Sequence, residues 1–286
     1  MSVQTRSMIQ KLREARARAL AALTAAASTA ATTAKVAAIA TAAAIKPQLL
    51  TEDTGKIFER GICLLYGIPY DGKYKYSITD AEKICQRLRP LEARLKELLP
   101  APQHSAKAGG RYDFTSPVPM GGGGGGPNDA PAPRHLSAKT TKGDGKVCPQ
   151  VIGQPTKKRF CEFFELPADS SNEDIKTYIE ENITSLLSTY EEYTFDSPIL
   201  YYNAKTDKLS LIEQLEPVDW SAHELQFTRQ GADWNESSSV QMRLGEGIWM
   251  TIGEFQVHNH RSAIKFRWAF EVFLRLFNRN FRVVEA

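Results

Sequence analysis

An acid and a lysine carried on two adjacent short strands can do phosphate chemistry, and this sequence offers such a pair. Arg111-Tyr112-Asp113-Phe114 and His135-Leu136-Ser137-Ala138-Lys139-Thr140-Thr141 both read as strands, separated by a glycine-rich insertion. A carboxylate gives a divalent cation a hard oxygen ligand, and a neighbouring ammonium group offsets charge on a phosphate under attack. Asp113 and Lys139 are therefore the leading candidates. A second acid is expected two residues before the lysine, where Ser137 stands instead. A plainer reading stays open beside this one, in which Asp113 caps a loop at a strand end and Lys139 is a solvated lysine of a sheet edge.

Other groups could join them. Gly253-Glu254-Phe255-Gln256-Val257-His258 reads as a strand, and its two-residue period puts Glu254 and Gln256 on one face. That alternation equally describes the polar face of an amphipathic strand. His258 and His260 flank Asn259 in a turn that could ligate metal, contact phosphate or simply be solvated. Lys157-Lys158-Arg159 is a short basic run suited to a phosphate backbone, although such runs are commonly only solvated. Tyr66, Tyr70, Tyr74 and Tyr76 with Lys73 and Lys75 interleave rings and cations, either as a base-stacking surface or as a packed aromatic loop.

The elements that must position these groups are partly legible. Thr51-Glu52-Asp53 supplies an N-cap and first-turn acids before Ile57, Phe58, Ile62, Leu64 and Leu65, a helix that Gly67 and Pro69 end. Thr79-Asp80 opens a second helix running through Leu98 to Pro100, and Ser171 to Tyr190 forms a capped acidic helix. Hairpins are expected for Pro198 to Tyr202 with Leu209 to Ile212, and for Ser239 to Leu244 with Ile248 to His258. Ser262 to Phe277 reads as a mostly buried helix bearing Lys265 and Arg267 directly after the Glu254 strand. Residues 116–133, with Gly121 to Gly126 and then Pro127, Pro131 and Pro133, form an exposed insertion rather than a ladder or a helix.

Composition sets outer bounds. The 286 residues are 42% hydrophobic and 9% aromatic, enough to bury a core. The net charge of +3 hides an asymmetry: residues 1–46 hold seven Lys and Arg against Glu14 alone, so the remainder is slightly acidic. A role on nucleic acid must therefore rest on local chemistry. The Ala/Thr-rich stretch of residues 1–46 has no apolar stripe to dock and is expected to be a disordered tail or loose helix. Its basic, acid-poor character fits an organelle signal or nonspecific nucleic-acid contact equally. Lys35 interrupts the Ala run and alanine supplies little transfer energy, so no membrane span is expected. Cys63, Cys85, Cys148 and Cys161 lack zinc-finger spacing and read as reduced thiols of an intracellular protein.

The series Tyr-Asp-Phe at 112–114, Leu-Ser-Ala-Lys-Thr at 136–140 and Cys-Pro-Gln-Val-Ile-Gly-Gln-Pro at 148–155 resembles the catalytic core of the restriction-endonuclease-like PD-(D/E)xK superfamily. Within it, the chain is similar to type II enzymes and their relatives in large DNA viruses, with Ser-x-Lys in place of acid-x-Lys. The resemblance covers roughly residues 52–165. It implies an α/β fold, a restriction-endonuclease-like mixed β-sheet flanked by helices, over residues 47–286. It also implies a Mg2+-dependent endodeoxyribonuclease acting on double-stranded DNA, as a homodimer if both strands are cut at a symmetric site. Asp113 would be the central metal ligand, Lys139 would orient the attacking water, and Glu59 on the first helix would supply the absent second carboxylate. Ser137 and Gln154 would sit beside them, Gln154 as a polar support near the phosphate. Lys157, Lys158, Arg159, Glu254, Gln256 and His258 would contact DNA. Glu-x-Gln is also a tolerated variant of the superfamily's Glu-x-Lys, so Glu254 could instead mark the metal strand. A catalytically inactive DNA-binding or virion structural protein of the same fold is the alternative. The resulting expectation for location is intracellular, with the nucleus or a virus-infected cell among the compartments.

Overall fold

The computed structural model describes residues 51–105, 110–117, 134–142, 145–147 and 156–286. The N-terminal tail, Cys148, Gln154 and the insertion from 118 to 133 lie outside them. From Leu50 onward the chain forms one compact unit.

Helix α1 (Thr51–Tyr66) runs as its apolar spacing predicts, and Gly67 ends it in the left-handed region at φ +65°, with Ile68 N–H reaching back to Cys63 O at 3.0 Å. The second helical stretch is broken where Pro90 cannot continue an α-helix: α2 (Ile78–Leu88), a 3-10 turn (Arg89–Leu91) and α3 (Glu92–Leu98). Helices α1 and α2 meet at Gly61, where a Cβ would lie 2.5 Å from Ile84 Cγ2, so only glycine permits this approach.

The strands divide between two sheets. Strands β1 (Gln103–His104), β2 (Phe114–Ser116), β3 (Arg134–Thr141), β5 (Ile199–Asn203), β6 (Lys208–Gln214) and β11 (Phe281–Glu285) form a mixed sheet in the order β1-β2-β3-β5-β6-β11, parallel only at β3–β5. Strands β4 (Lys146–Val147), β7 (Leu225–Phe227), β8 (Ser237–Gly245), β9 (Ile248–Val257) and β10 (Ile264–Ala269) form an antiparallel sheet ordered β4-β10-β9-β8-β7. Between them in sequence come α4 (Lys157–Phe163), α5 (Asn172–Glu181) and α6 (Ile183–Phe195), and α7 (Phe270–Leu276) follows β10. The α/β class and both expected hairpins hold, while the acidic helix divides at Asn182 into α5 and α6.

Two expectations are corrected. Of Arg111 to Phe114, only Phe114 lies on a strand, and Asp113 precedes it. Residues 264–269 are a strand, and Lys265 and Arg267 lie on it rather than on a helix. Ile264, Phe266 and Trp268 are buried and alternate with those two basic residues, a strand period that the apolar residues of α7 obscure in the sequence.

The mixed sheet buries both faces. On one side, Leu136, Leu200 and Leu211 pack with Phe58, Ile62 and Leu88 of α1 and α2. On the other, Ile199, Tyr201 and Ile212 join an aromatic-rich core with Tyr190, Trp220, Phe255, Phe266 and Trp268. Central strand β5 accordingly reads as a continuous apolar run rather than an alternation.

Candidate functional site

Helix α1 presents two faces to two environments. Phe58, Ile62 and Leu65 enter the core, whereas Glu52, Lys56 and Glu59, one or two turns apart, line an open cleft of about 310 Å³. Thr140 of β3, Asp113 just before β2, Tyr70, Ser105 and Tyr112 also line it. The helix lies close to β3 at Gly55, where a Cβ would meet Thr140 Oγ1 at an ordinary contact distance of 3.7 Å.

Asp113 sits where the ladder runs out. Strands β2 and β3 pair from Ser116↔Arg134 to Phe114↔Leu136, after which the incoming chain leaves the sheet. Ala138 N–H, pointing toward the missing partner, instead donates to Asp113 Oδ2 at 2.7 Å. Lys139 Nζ stands 3.7 Å from the same oxygen, with the two side chains 17% and 23% exposed, so this ion pair reaches the surface. The acid and lysine singled out by the sequence are thus neighbours.

Glu59 is held by Tyr70, one of the tyrosines of the aromatic loop, and by His104, which the sequence gave no reason to single out. Asp71 N–H donates to His104 Nδ1 at 2.9 Å, which leaves the proton of a neutral imidazole on Nε2, 3.2 Å from Glu59 Oε2. His104 is sealed between rings, stacked on Tyr70 at 4.5 Å and tilted against Phe114 at 5.0 Å. Tyr70 OH reaches Glu59 Oε2 at 3.5 Å, and burial, followed by the nearby Glu59 charge, pushes that phenol well above its ordinary pKa, keeping it a donor. No motif announces His104; its one sequence signal is a polar residue between apolar helices and an aromatic strand.

The remaining candidates lie elsewhere. Ser137 is 3% exposed, with its N–H bonded to Pro198 O, and is not among the cleft walls. Lys157, Lys158 and Arg159 form the first turn of α4, capped by Thr156, whose side chain accepts from Arg159 N–H. Glu254 accepts from Lys146 Nζ at 2.5 Å, Arg267 Nη2 at 2.8 Å and Gln256 Nε2 at 2.7 Å. Burial pushes its carboxyl up, but the hydrogen bonds from Lys146 and Arg267 outweigh that and hold it below the usual range. Tyr66 ends α1 with its OH donating to Leu95 O, and in the loop after it Tyr74 meets Tyr70 and Tyr76 edge-on. His258 follows β9, its imidazole pushed down in pKa by burial and then by Arg261.

No family model matches the chain, and no solved structure matches it. It is 43% identical over 238 residues, 82% of its length, to the Type II restriction enzyme CviAII of Paramecium bursaria Chlorella virus 1. That relative cuts across the question of chemistry: it is a restriction enzyme. This chain spans 63% of its length. The matched share is large enough that it must include much of the described unit.

Glu52, Glu59, Asp113 and Thr140 bring oxygen atoms to the cleft, although the three acids do not gather their carboxylates within 4.8 Å of one another. Among the described residues, no helix is long and apolar enough to cross a membrane.

Proposed function

We propose that the chain is a Mg2+-dependent endodeoxyribonuclease of the PD-(D/E)xK type, hydrolysing phosphodiester bonds of double-stranded DNA at the cleft between α1 and β3. One observation carries this reading: Glu59 and Asp113, from separate elements, face one open cleft while Lys139 stands against Asp113. The likeness to a restriction enzyme supports it independently.

In this reading Asp113 and Glu59 hold the cation. When bound, the divalent ion acidifies a water and stabilises charge on the phosphate. Lys139 directs its ammonium group to the attacking water and the phosphate oxygens, favouring the charge that builds up there. The water oxygen bonds to phosphorus as the bond to the leaving sugar oxygen breaks; the water loses a proton and the leaving oxygen gains one. Ala138 N–H fixes the Asp113 carboxylate, and His104 with Tyr70 fixes that of Glu59, so neither must be ordered at the moment of reaction. Gln154, Lys157, Lys158 and Arg159 approach the DNA backbone, and a homodimer places one cleft on each strand.

The test is cleavage of duplex DNA by the purified chain with and without Mg2+. Metal-dependent cutting that disappears in Asp113→Ala and Lys139→Ala, both still folded, supports the assignment. Retained cutting in both variants would displace the site while leaving the enzyme class standing. A second reading, a DNA-binding protein that has lost catalysis, is favoured by buried Ser137 in the position of the expected acid. It predicts DNA retention without cutting at any Mg2+ concentration.

A further inference from the structure

A second set of ligands lies at the far end of the antiparallel sheet. Glu236, just before β8, lies across from the end of β9, where Val257 N–H donates to Glu236 O at 2.8 Å. The chain then turns through residues 258–263 and returns as β10, closed by His258 N–H to Ala263 O at 3.1 Å. This turn folds His258 and His260 back over Glu236. One nitrogen from each ring and one carboxylate oxygen all lie within 4.8 Å of one another. Among the described residues it is the one such group of three metal-ligating side chains.

The hydrogen bonding around the group is uneven. Glu236 Oε1 is occupied by His260 Nδ1 at 2.9 Å and Asn259 N–H at 3.1 Å. Its second oxygen faces His258 Nδ1 at 4.0 Å, too far for a hydrogen bond. The His258 side chain is only 9% exposed, and its buried Nδ1 has no hydrogen-bond partner. A buried ring nitrogen aimed at a carboxylate across such a gap is a group in want of a ligand. A tetrahedral ion about 2.0–2.2 Å from each atom would hold them about 3.3–3.6 Å apart, so binding draws the two side chains together by about half an ångström.

We propose that Glu236, His258 and His260 form a transition-metal site of the class zinc occupies, separate from the Asp113 cleft. Two imidazoles and one carboxylate match the borderline character of Zn2+ and not the all-oxygen preference of Mg2+, so the two ions sort by ligand chemistry. Water completes the coordination beside exposed His260. Binding at His258 Nδ1 moves the ring proton to Nε2, which now accepts from Arg261 Nη2 at 2.8 Å; the exposed Arg261 side chain releases this contact and turns to solvent. The ion would staple β8 to the β9–β10 turn. Asn172, at the start of α5, already touches the same turn through His258 O and Asn259 Oδ1. The role is therefore structural, holding one end of the sheet.

The test uses the full chain, stripped with EDTA and dialysed, then titrated with Zn2+ by calorimetry and with Co2+ by visible spectroscopy. One ion per chain is expected, with a thermal midpoint raised by Zn2+, no displacement by excess Mg2+, and no sulfur-to-cobalt charge-transfer band. His260→Ala, at an exposed ring, leaves the fold intact and lowers Zn2+ affinity by at least the about 10- to 100-fold that even an outer contact is worth. Glu236→Gln does the same, while Asp113→Asn leaves Zn2+ binding unchanged, which separates this site from the cleft whether or not DNA is cut. The proposal is overturned by the absence of Zn2+ binding, by undiminished binding in His260→Ala, or by a thiolate signature in the cobalt spectrum.

Discussion

Two acids in this protein stand beside basic residues, and their surroundings separate them. Glu254 is a buried hub of the antiparallel sheet, with Lys146, Arg267 and Gln256 all donating to it. Asp113, at a frayed end of the mixed sheet, accepts from the Ala138 backbone, has Lys139 at 3.7 Å, and opens on a cleft shared with Glu59. A carboxylate already saturated by side-chain donors from its own and neighbouring strands is a structural ion cluster. One that is partly exposed and opens on a cleft lined by a second acid stands where a ligand can reach it. Sequence pattern alone, an acid near a lysine or glutamine on a strand, does not distinguish the two.

This contrast can be broken first at the cleft. Asp113→Asn and Lys139→Ala should each lower duplex cleavage by about 10²- to 10³-fold, the scale on which removing one transition-state contact acts, as read from initial rates at saturating Mg2+. The mirror change, Glu254→Gln, should leave the rate per folded molecule unaltered and act on stability. Lys146 and Arg267 are 24% and 30% exposed and can partly turn to water. The loss should therefore be about 2 kcal/mol, below the about 3–5 kcal/mol of a fully buried broken pair, measured as a shift in urea midpoint. A Glu254→Gln protein that folds normally but does not cut would reverse the two roles.

These contrasts show what the sequence revealed and what it withheld. Helix α1 and its Gly67 stop were readable because apolar period and termination signals agree, whereas Glu59 was named only by the resemblance. The adjacency of Asp113 and Lys139 was readable from two strands flanking an insertion. The strand at 264–269 was not, because its Ile-Lys-Phe-Arg-Trp alternation runs without a break into the apolar α7, and length alone favoured a helix. The support of Glu59 was equally hidden: His104 reaches it across 45 residues of sequence, placed by ring stacking that no local pattern records.

That hidden support gives a sharper, smaller test. His104→Phe keeps a ring against Tyr70 and Phe114 but removes both nitrogens, so Glu59 loses its orienting donor. Cleavage should fall by about 10-fold, with the Mg2+ concentration for half-maximal rate rising in step, as outer-shell changes typically do. A purely structural His104 would change the melting temperature and not that metal dependence.

The smallest effect concerns pH. The Glu254 carboxyl lies below its unfolded value of about 4.3, so its contribution to stability is complete above about pH 5 and is lost as the pH falls toward the lowered folded value. Urea midpoints taken between about pH 6 and pH 3.5 should fall more steeply in the parent than in Glu254→Gln. Parallel curves would show that the Lys146 and Arg267 contacts do not hold in solution.

The most direct measurement is a Mg2+ titration of duplex cleavage for the parent chain, Asp113→Asn and Glu254→Gln, with folding checked by circular dichroism. The account predicts metal-dependent cutting by the parent and by Glu254→Gln, and cutting by Asp113→Asn slowed by about 10²- to 10³-fold even at saturating Mg2+. Cutting by Asp113→Asn at the parent rate, with its Mg2+ dependence intact, would contradict it.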